Sequence, residues 1–455
     1  MRKILLASIA VLGATSIAQA QTAKSTFDQG DATKRAGVTA SPSLDTMPTL
    51  APGQMAVRIN GKVAAYFAYT NQGQISNSTG KISNANTYSY IRLYPSMDAV
   101  AANGLRYGIA AEMREDGNTP SQTSPGDQGN ISSTGVVARN NTYWRRAYGY
   151  VAGDAWGTVR VGAGDSPYSL MATGGMYELG DANFCGDTST SVSHANGAPY
   201  PFRSCAGNMY TTNKIVYLSP QFSGFDMGVA YEANTSTGGM TSGCTTAGSV
   251  AGCDALETSS AASTRRKNTA DIAVRYRGVM NGASVAVAGG YLGSGKVNLT
   301  TGGSAREGLG VWWGGANVGF AGFTFQGAVE GGREDRMAML LDGAPSQLTW
   351  QLGTSYTAGP MQIGVSYFEA SRAGSLWNGT TYNVKRADRG IYSAINYGIA
   401  PGLGAMAMLA YSDSSSPNGA AAGSTAAAVD INSYKSGNQN NTHQTMASGG
   451  LFFRW

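Results

Sequence analysis

Residues 55–69 read MAVRINGKVAAYFAY. One face of this stretch carries Met55, Val57, Ile59, Gly61, Val63, Ala65, Phe67 and Tyr69. The other carries Gln54, Ala56, Arg58, Asn60, Lys62, Ala64, Tyr66 and Ala68. The repeat is two, the side-chain period of a strand, and not the 3.6 of a helix. Both charges fall on one face. The same pattern recurs at 105–114, where Leu105, Tyr107, Ile109, Ala111 and Met113 oppose Arg106, Gly108, Ala110, Glu112 and Arg114. At 158–163, Val159, Val161 and Ala163 oppose Thr158, Arg160 and Gly162. At 270–276, Ala270, Ile272, Val274 and Tyr276 oppose Asp271, Ala273 and Arg275. A soluble sandwich or propeller would also alternate. Its packed core, however, would leave such mid-strand Arg and Asp unpaired at high cost. A wall with lipid on one side and water on the other has no such conflict.

Working outward, alternating segments span 54–70, 86–95, 104–115, 141–152, 157–165, 211–219, 225–234, 267–278, 282–293, 307–319, 321–332, 346–358, 360–372, 388–399, 402–413 and 442–455. These are sixteen, and bacterial outer-membrane barrels use an even number. The connectors sort into two sets. Short ones include Asp154-Ala155-Trp156-Gly157, Gln221-Phe222-Ser223-Gly224, Gly278 to Gly282, Ala358-Gly359-Pro360 and Ala400-Pro401-Gly402. Long ones cover 71–85, 116–140, 166–210, 235–266, 373–387 and 414–441. Short turns at one end and long loops at the other are the asymmetry of such a barrel. The expected fold is therefore all-β, a 16-stranded antiparallel transmembrane β-barrel over residues 54–455.

The rest of the chain agrees. Arg2 and Lys3, the apolar run from Ile4 to Ile17 and Ala18-Gln19-Ala20 read as an export signal over residues 1–20. Residues 21–53, with Pro42, Pro48 and Pro52, read as a polar leader. No later segment approaches the roughly 20 apolar residues of a membrane helix. Of 455 residues 63 are Gly and 13% are charged, yet mean hydropathy is only −0.18. Half-lipid, half-water strands produce that average without a soluble core. The net charge of +5 comes from Lys and Arg scattered singly, which is no nucleic-acid footprint.

Cys185 and Cys205 form one close pair in sequence, Cys244 and Cys253 another, each in a polar loop stretch. In an exported chain they read as disulfides; three pairings are possible and the local one is preferred. No C-x-x-C is present, and neither a metal nor any other cofactor is expected. His194 and His443 lie in no nucleophile motif, and no G-x-S-x-G elbow appears, so no catalytic residue is expected. Tyr66, Tyr69, Tyr94, Trp156, Phe222, Tyr231, Tyr356, Tyr367, Tyr397, Phe453 and Trp455 cluster near predicted strand ends as interfacial girdles. On the wet parity, Tyr88, Tyr90, Tyr148 and Tyr150 read mainly as packing, with a sugar-contacting track as the other reading.

Several stretches resemble the general porins of Gram-negative outer membranes. Trp144-Arg145-Arg146-Ala147-Tyr148, Gly157-Thr158-Val159-Arg160-Val161-Gly162 and Asp165-Ser166-Pro167 resemble the strand-turn-strand leading into loop 3. Asn213 to Pro220, with Phe222, Gly224 and Phe225, resembles another porin segment, and Tyr397 to Leu403 a late turn. Gly450 to Trp455 is similar to the terminal strand read by the outer-membrane assembly machinery, with Leu451, Phe453 and Trp455 as its signal. The chain departs from the family in its terminal Trp, in lacking Pro-Glu-Phe-Gly-Gly in loop 3 and in its longer leader. The resemblance implies a homotrimer of water-filled pores in outer-membrane lipid, each narrowed by an inward-folded loop 3. Acids on that loop would face bases on the wall.

Strand parity places Arg58, Lys62, Arg92, Arg106, Arg114 and Arg160 on the wet face as that basic wall, joined by Arg146. Arg145 is then expected to point outward near the rim. Connector 166–210 occupies the loop 3 position and offers Glu178, Asp181 and Asp187, with Arg203 beyond. A Cys185–Cys205 bridge would stiffen it. The expected function is passive diffusion of small hydrophilic solutes and ions, without chemistry and without nucleic acid. A sugar- or anion-selective channel is the alternative, and a barrel lipid hydrolase or an adhesin more remote ones.

Overall fold

The computed structural model describes residues 50–72, 84–116, 142–175, 179, 212–234, 255–256, 267–295, 298–299, 307–334, 340, 344–373, 385–417 and 439–455. Among them, sixteen strands close into one barrel. They are β1 (Met55–Gln72), β2 (Ala85–Val100), β3 (Arg106–Asp116), β4 (Tyr143–Gly153), β5 (Gly157–Ala163), β6 (Asn213–Leu218), β7 (Phe225–Asn234), β9 (Lys267–Met280), β10 (Ala283–Gly295), β12 (Gly310–Phe320), β13 (Phe323–Arg333), β14 (Gln347–Ala358), β15 (Met361–Ala373), β16 (Lys385–Ala400), β17 (Leu403–Pro417) and β18 (Gln439–Arg454). Each pairs antiparallel with its neighbours, and β1 closes on β18. The short strands β8 (Ala255–Leu256) and β11 (Asn298–Leu299) make a separate parallel pair. One short helix, α1 (Pro167–Leu170), follows β5. All sixteen predicted segments coincide with barrel strands. No described helix is long and apolar enough to cross a membrane.

The two-residue period sets the two surfaces. Met55, Val57, Ile59, Phe67 and Tyr69 are exposed outside, while Lys62, Ala64, Tyr66 and Ala68 are buried inside. Exposed aromatics mark both ends of the outer face. Trp156, Phe222, Phe320, Phe323, Tyr397 and Trp455 lie at the short-turn end, and Phe67, Tyr69, Trp144, Tyr231, Tyr291 and Trp312 at the other. Trp312 and Phe320 are eight residues apart, roughly 26 Å along β12. At a tilt of about 40° that leaves roughly 20 Å between the girdles, close to the apolar band of an outer-membrane barrel. Tyr66 and Tyr94 depart from the girdle expectation. Both are buried on the inner face, because their even numbers share the parity of Lys62 and Arg92.

Turn chemistry fixes the short ends. Ser223-Gly224, Asn281-Gly282 and Ala321-Gly322 all have positive φ at both positions, the geometry of a two-residue turn that matches strand twist. The seam is closed by the chain terminus. Gly61 N–H donates to Trp455 O at 3.1 Å, and Trp455 N–H to Gly61 O at 3.2 Å. The indole of Trp455 occupies the space a side chain on Gly61 would need. Gly61→Val therefore expels the indole from its seat, an overpacking cost of about 1–3 kcal/mol. The folded band on a heat-modifiability gel is expected to melt at lower temperature in this variant. An unchanged transition would mean that the Trp455 seat does not seal the barrel.

Candidate functional site

The inner wall of β18, β1, β2 and β3 carries a row of cations. Lys62 stands opposite Arg92, Arg92 opposite Arg114, and Lys62 on its other side opposite Arg454. Like charges placed directly opposite repel, so each needs local compensation. Part of it is aromatic. Lys62 Nζ lies 5.2 Å and the Arg92 guanidinium 4.3 Å from the Tyr90 ring centroid, and Arg454 lies 4.7 Å from the Phe452 ring. Tyr90 and Tyr148 are buried under cations and Tyr150 donates to Asp98, so these three tyrosines pack the wall.

The rest comes from carboxylates of the wall itself. Glu112, fully buried, takes Arg114 at 2.5 Å, Arg145 at 2.8 Å and Arg146 at 3.2 Å. Asp98 takes Arg58 at 2.5 Å. Asp165, just beyond β5, takes Arg146 at 2.6 Å and Arg145 at 3.7 Å. Further round, Asp226 takes Arg275 at 2.6 Å and Arg277 at 2.8 Å.

Arg145 corrects the sequence expectation. Glu112 pairs with Arg146 and Met113 with Trp144, so Arg145 is an extra residue in β4. Such a bulge lets two successive side chains share a face. Arg145 and Arg146 are both buried inside, while Trp144 and Ala147 are exposed outside. Arg106 lies at the short-turn rim, paired with Asp154 at 3.2 Å. Lys62, Arg92, Arg114, Arg146 and Arg160 are buried on the inner parity with Arg58 beside them. Glu178, Asp181, Asp187, Arg203 and all four cysteines fall outside the described residues.

From the end of β5 the chain runs along the opposite inner wall as a strap. Lys214 Nζ donates to Gly164 O at 2.8 Å. Tyr168 N–H donates to Asp271 at 2.9 Å, and its hydroxyl donates to the buried Glu330. Its ring meets Trp313 edge-on at 5.5 Å. Gly174 N–H donates to Asn317 Oδ1 at 2.9 Å, and Gln351 Nε2 donates to Gly174 O at 3.0 Å. Farther on, the Tyr392 hydroxyl donates to Leu179 O. The strap thus touches β6, β9, β12, β13, β14 and β16 in turn. The wall is flat enough to receive it because Gly315, on the inner parity, brings no side chain. A carbon added at Gly315 would strike Thr173 O.

The arrangement sets a cation row on one wall against a strap seated on the other. It shapes a charged passage. In the sequence Glu112 is set on the polar face, but Arg454, Asp98 and Asp226 are not assigned to the wall. The signal for Asp98, Glu112 and Asp226 was present, since all lie on the wet parity.

Comparison with known proteins gives three findings. The family described as Gram-negative porin matches residues 7–417. Among solved structures, an anion-selective porin from Comamonas acidovorans superposes with a TM-score of 0.52 at 13% identity, covering 88% of this chain and 100% of that one. OmpT of Vibrio cholerae, an outer-membrane protein in its trimer form, gives 0.50 at 10% identity, covering 88% and 99%. At these identities the likeness is one of fold. No curated protein sequence matches.

Proposed function

This chain belongs to the Gram-negative porin family and forms an outer-membrane channel; we propose that the channel passes small hydrophilic solutes and ions by diffusion, with a preference for anions. The observation that carries the preference is the row Arg454, Lys62, Arg92 and Arg114 on four adjacent strands. Rings of fixed charge on a pore wall select by sign. Among the described residues of the four strands, the wall acid beside the row is Glu112, two residues before Arg114 and shared among three arginines.

Several finer features belong to the same reading. Residues 1–20 direct export and are removed, and 21–53 form a leader. Glu178, Asp181 and Asp187 extend the strap toward the basic wall, with Cys185–Cys205 and Cys244–Cys253 as disulfides. Leu451, Phe453 and Trp455 serve the assembly machinery. The protein catalyses no reaction. Three copies associate through the outer face of β17, β18 and β1, where Ala405, Ala407, Ala447, Gly449 and Ala65 leave a smooth surface. The Vibrio cholerae protein of the same fold is a trimer, which supports that reading.

The test is the reversal potential of the purified protein in a planar bilayer under a KCl gradient. The expected sign is that of an anion-preferring pore. A cation-preferring potential would overturn the preference, and an absence of conductance would overturn diffusion.

A further inference from the structure

The inward face of β17 and β18 carries sulfur where the neighbouring wall carries charge. Along β17 the inward positions include Met406, Met408, Ala410 and Ser412, and along β18 Met446 and Ser448. Met408 is 3% exposed and Met446 6%. Ala410 pairs with Met446, so the two methionines are diagonal neighbours across the ladder. Leu179, the far described residue of the strap, packs with both of them, with Tyr392 and with Ala394 as one buried cluster. The Tyr392 hydroxyl donates to Leu179 O. The preceding anchor of the strap is Gly174, bound to Asn317 and Gln351 on other strands. Among the described residues, then, the far end of the strap rests on two thioethers and one hydrogen bond.

Methionine fills irregular apolar space well, but it differs from Leu in one respect. An oxidant converts its flexible apolar side chain into a polar sulfoxide. Met55, Met227 and Met280 are exposed on the outer face, toward lipid. Met408 and Met446 stand on the lumen side, where an uncharged oxidant of nearly the size of water arrives through the channel. Lightly held segments open far more often than the whole fold, and each lifting of the strap end bares these two sulfurs.

We propose that Met408 and Met446 form an oxidation site at which hydrogen peroxide unseats the strap and narrows the channel. The site rests on the diffusion reading for the oxidant's route. The thioether sulfur attacks the peroxide and the O–O bond breaks. One oxygen stays on sulfur as the sulfoxide, the other leaves as water with both protons, and the sulfur is oxidised as the peroxide is reduced. The new oxygen is a strong acceptor inside an apolar seat. It competes with Leu179 O for the Tyr392 hydroxyl, the donor already in the cluster. Leu179 loses its apolar seat and its hydrogen bond together, and the strap end moves off the wall into the passage.

The test treats the purified protein in planar bilayers with hydrogen peroxide and follows single-channel conductance, while peptide mass spectrometry locates the added oxygen. The wild type is expected to lose conductance in steps that persist after the peroxide is washed out, with oxygen on Met408 and Met446. The double variant Met408→Leu, Met446→Leu keeps volume and apolarity. It should conduct as the untreated wild type does and hold that conductance in peroxide. The double variant Met55→Leu, Met280→Leu should lose conductance as the wild type does. Leu179→Ala thins the cover, so Met408 and Met446 should take up oxygen severalfold faster. Absence of oxygen on both sulfurs, oxygen there with conductance unchanged, or an equal loss in Met408→Leu, Met446→Leu overturns the proposal. Should that double variant fail to fold, Leu179→Ala carries the test, and uptake no faster than in the wild type overturns it. Normal conductance without uptake refutes the site and spares the diffusion reading. Uptake hastened by Leu179→Ala in a barrel that never conducts refutes diffusion and keeps the oxidation site.

Discussion

Glu112→Gln is expected to cost the folded barrel about 3–5 kcal/mol, the penalty for removing one partner of a buried ion pair. The size follows from the geometry. One fully buried carboxylate receives three guanidiniums within 3.2 Å, from Arg114, Arg145 and Arg146. Asp165 remains for Arg145 and Arg146, which keeps the loss from being larger. The measurement is urea unfolding of the barrel in lipid vesicles, followed by the shift between folded and unfolded gel bands. A second readout separates electrostatics from packing. Removing one negative charge from the cation wall should also move the reversal potential further toward anions. A variant as stable as wild type would show that the three arginines do not depend on Glu112. A less stable variant with an unmoved potential would mean that the cluster is structural and remote from the ion path.

The strands were legible in the sequence because each of them repeats the same local rule. Lipid on one side and water on the other force alternation within ten residues, and 55–69 displays it without reference to any other part of the chain. The short connectors Gln221 to Gly224 and Gly278 to Gly282 were legible for a similar reason, since the φ requirements of the Ser223-Gly224 and Asn281-Gly282 pairs within them are local. What stayed hidden is relational. The bulge at Arg145 exists only in the pairing of β4 with β3, and counting parity along β4 alone sends its side chain outward. Tyr66 and Tyr94 sit near predicted strand ends, and position along the strand was read ahead of face. Lys62, Arg92, Arg114, Arg146 and Arg160 lie on the inner parity, and the counter-charges described for the wall, Asp98, Glu112 and Asp165, come from elements that only pairing brings together. The strap depends on contacts between residues as distant as Gly174 and Gln351. Nothing within the 166–210 sequence announces its receptor, because the receptor is a flat place made by Gly315 in a distant strand.

That flat place yields the second large effect. Gly315→Val puts branched carbons where Thr173 O now lies, and the strap cannot stay in position. Its root is held by Asp165 and Tyr168, so the segment 171–174 must lift toward the cation wall. Lifting breaks the bonds of Gly174 to Asn317 and Gln351. Overpacking of this kind costs about 1–3 kcal/mol, which is small beside the functional change. The strap backbone moves into the passage, so single-channel conductance should fall and the largest solute that passes should become smaller. Gly314→Val is the control. Gly314 is the neighbouring residue on the outward parity, where an added carbon meets only Ala288 O at 3.8 Å. It should conduct as the wild type does. The same displacement is reachable from the other partner, because Gly174 has φ +95° and its added carbon would strike Gly327 O. Gly174→Ala should therefore lower conductance as well. Wild-type conductance in both Gly315→Val and Gly174→Ala would show that the seated strap does not set the width of the pore.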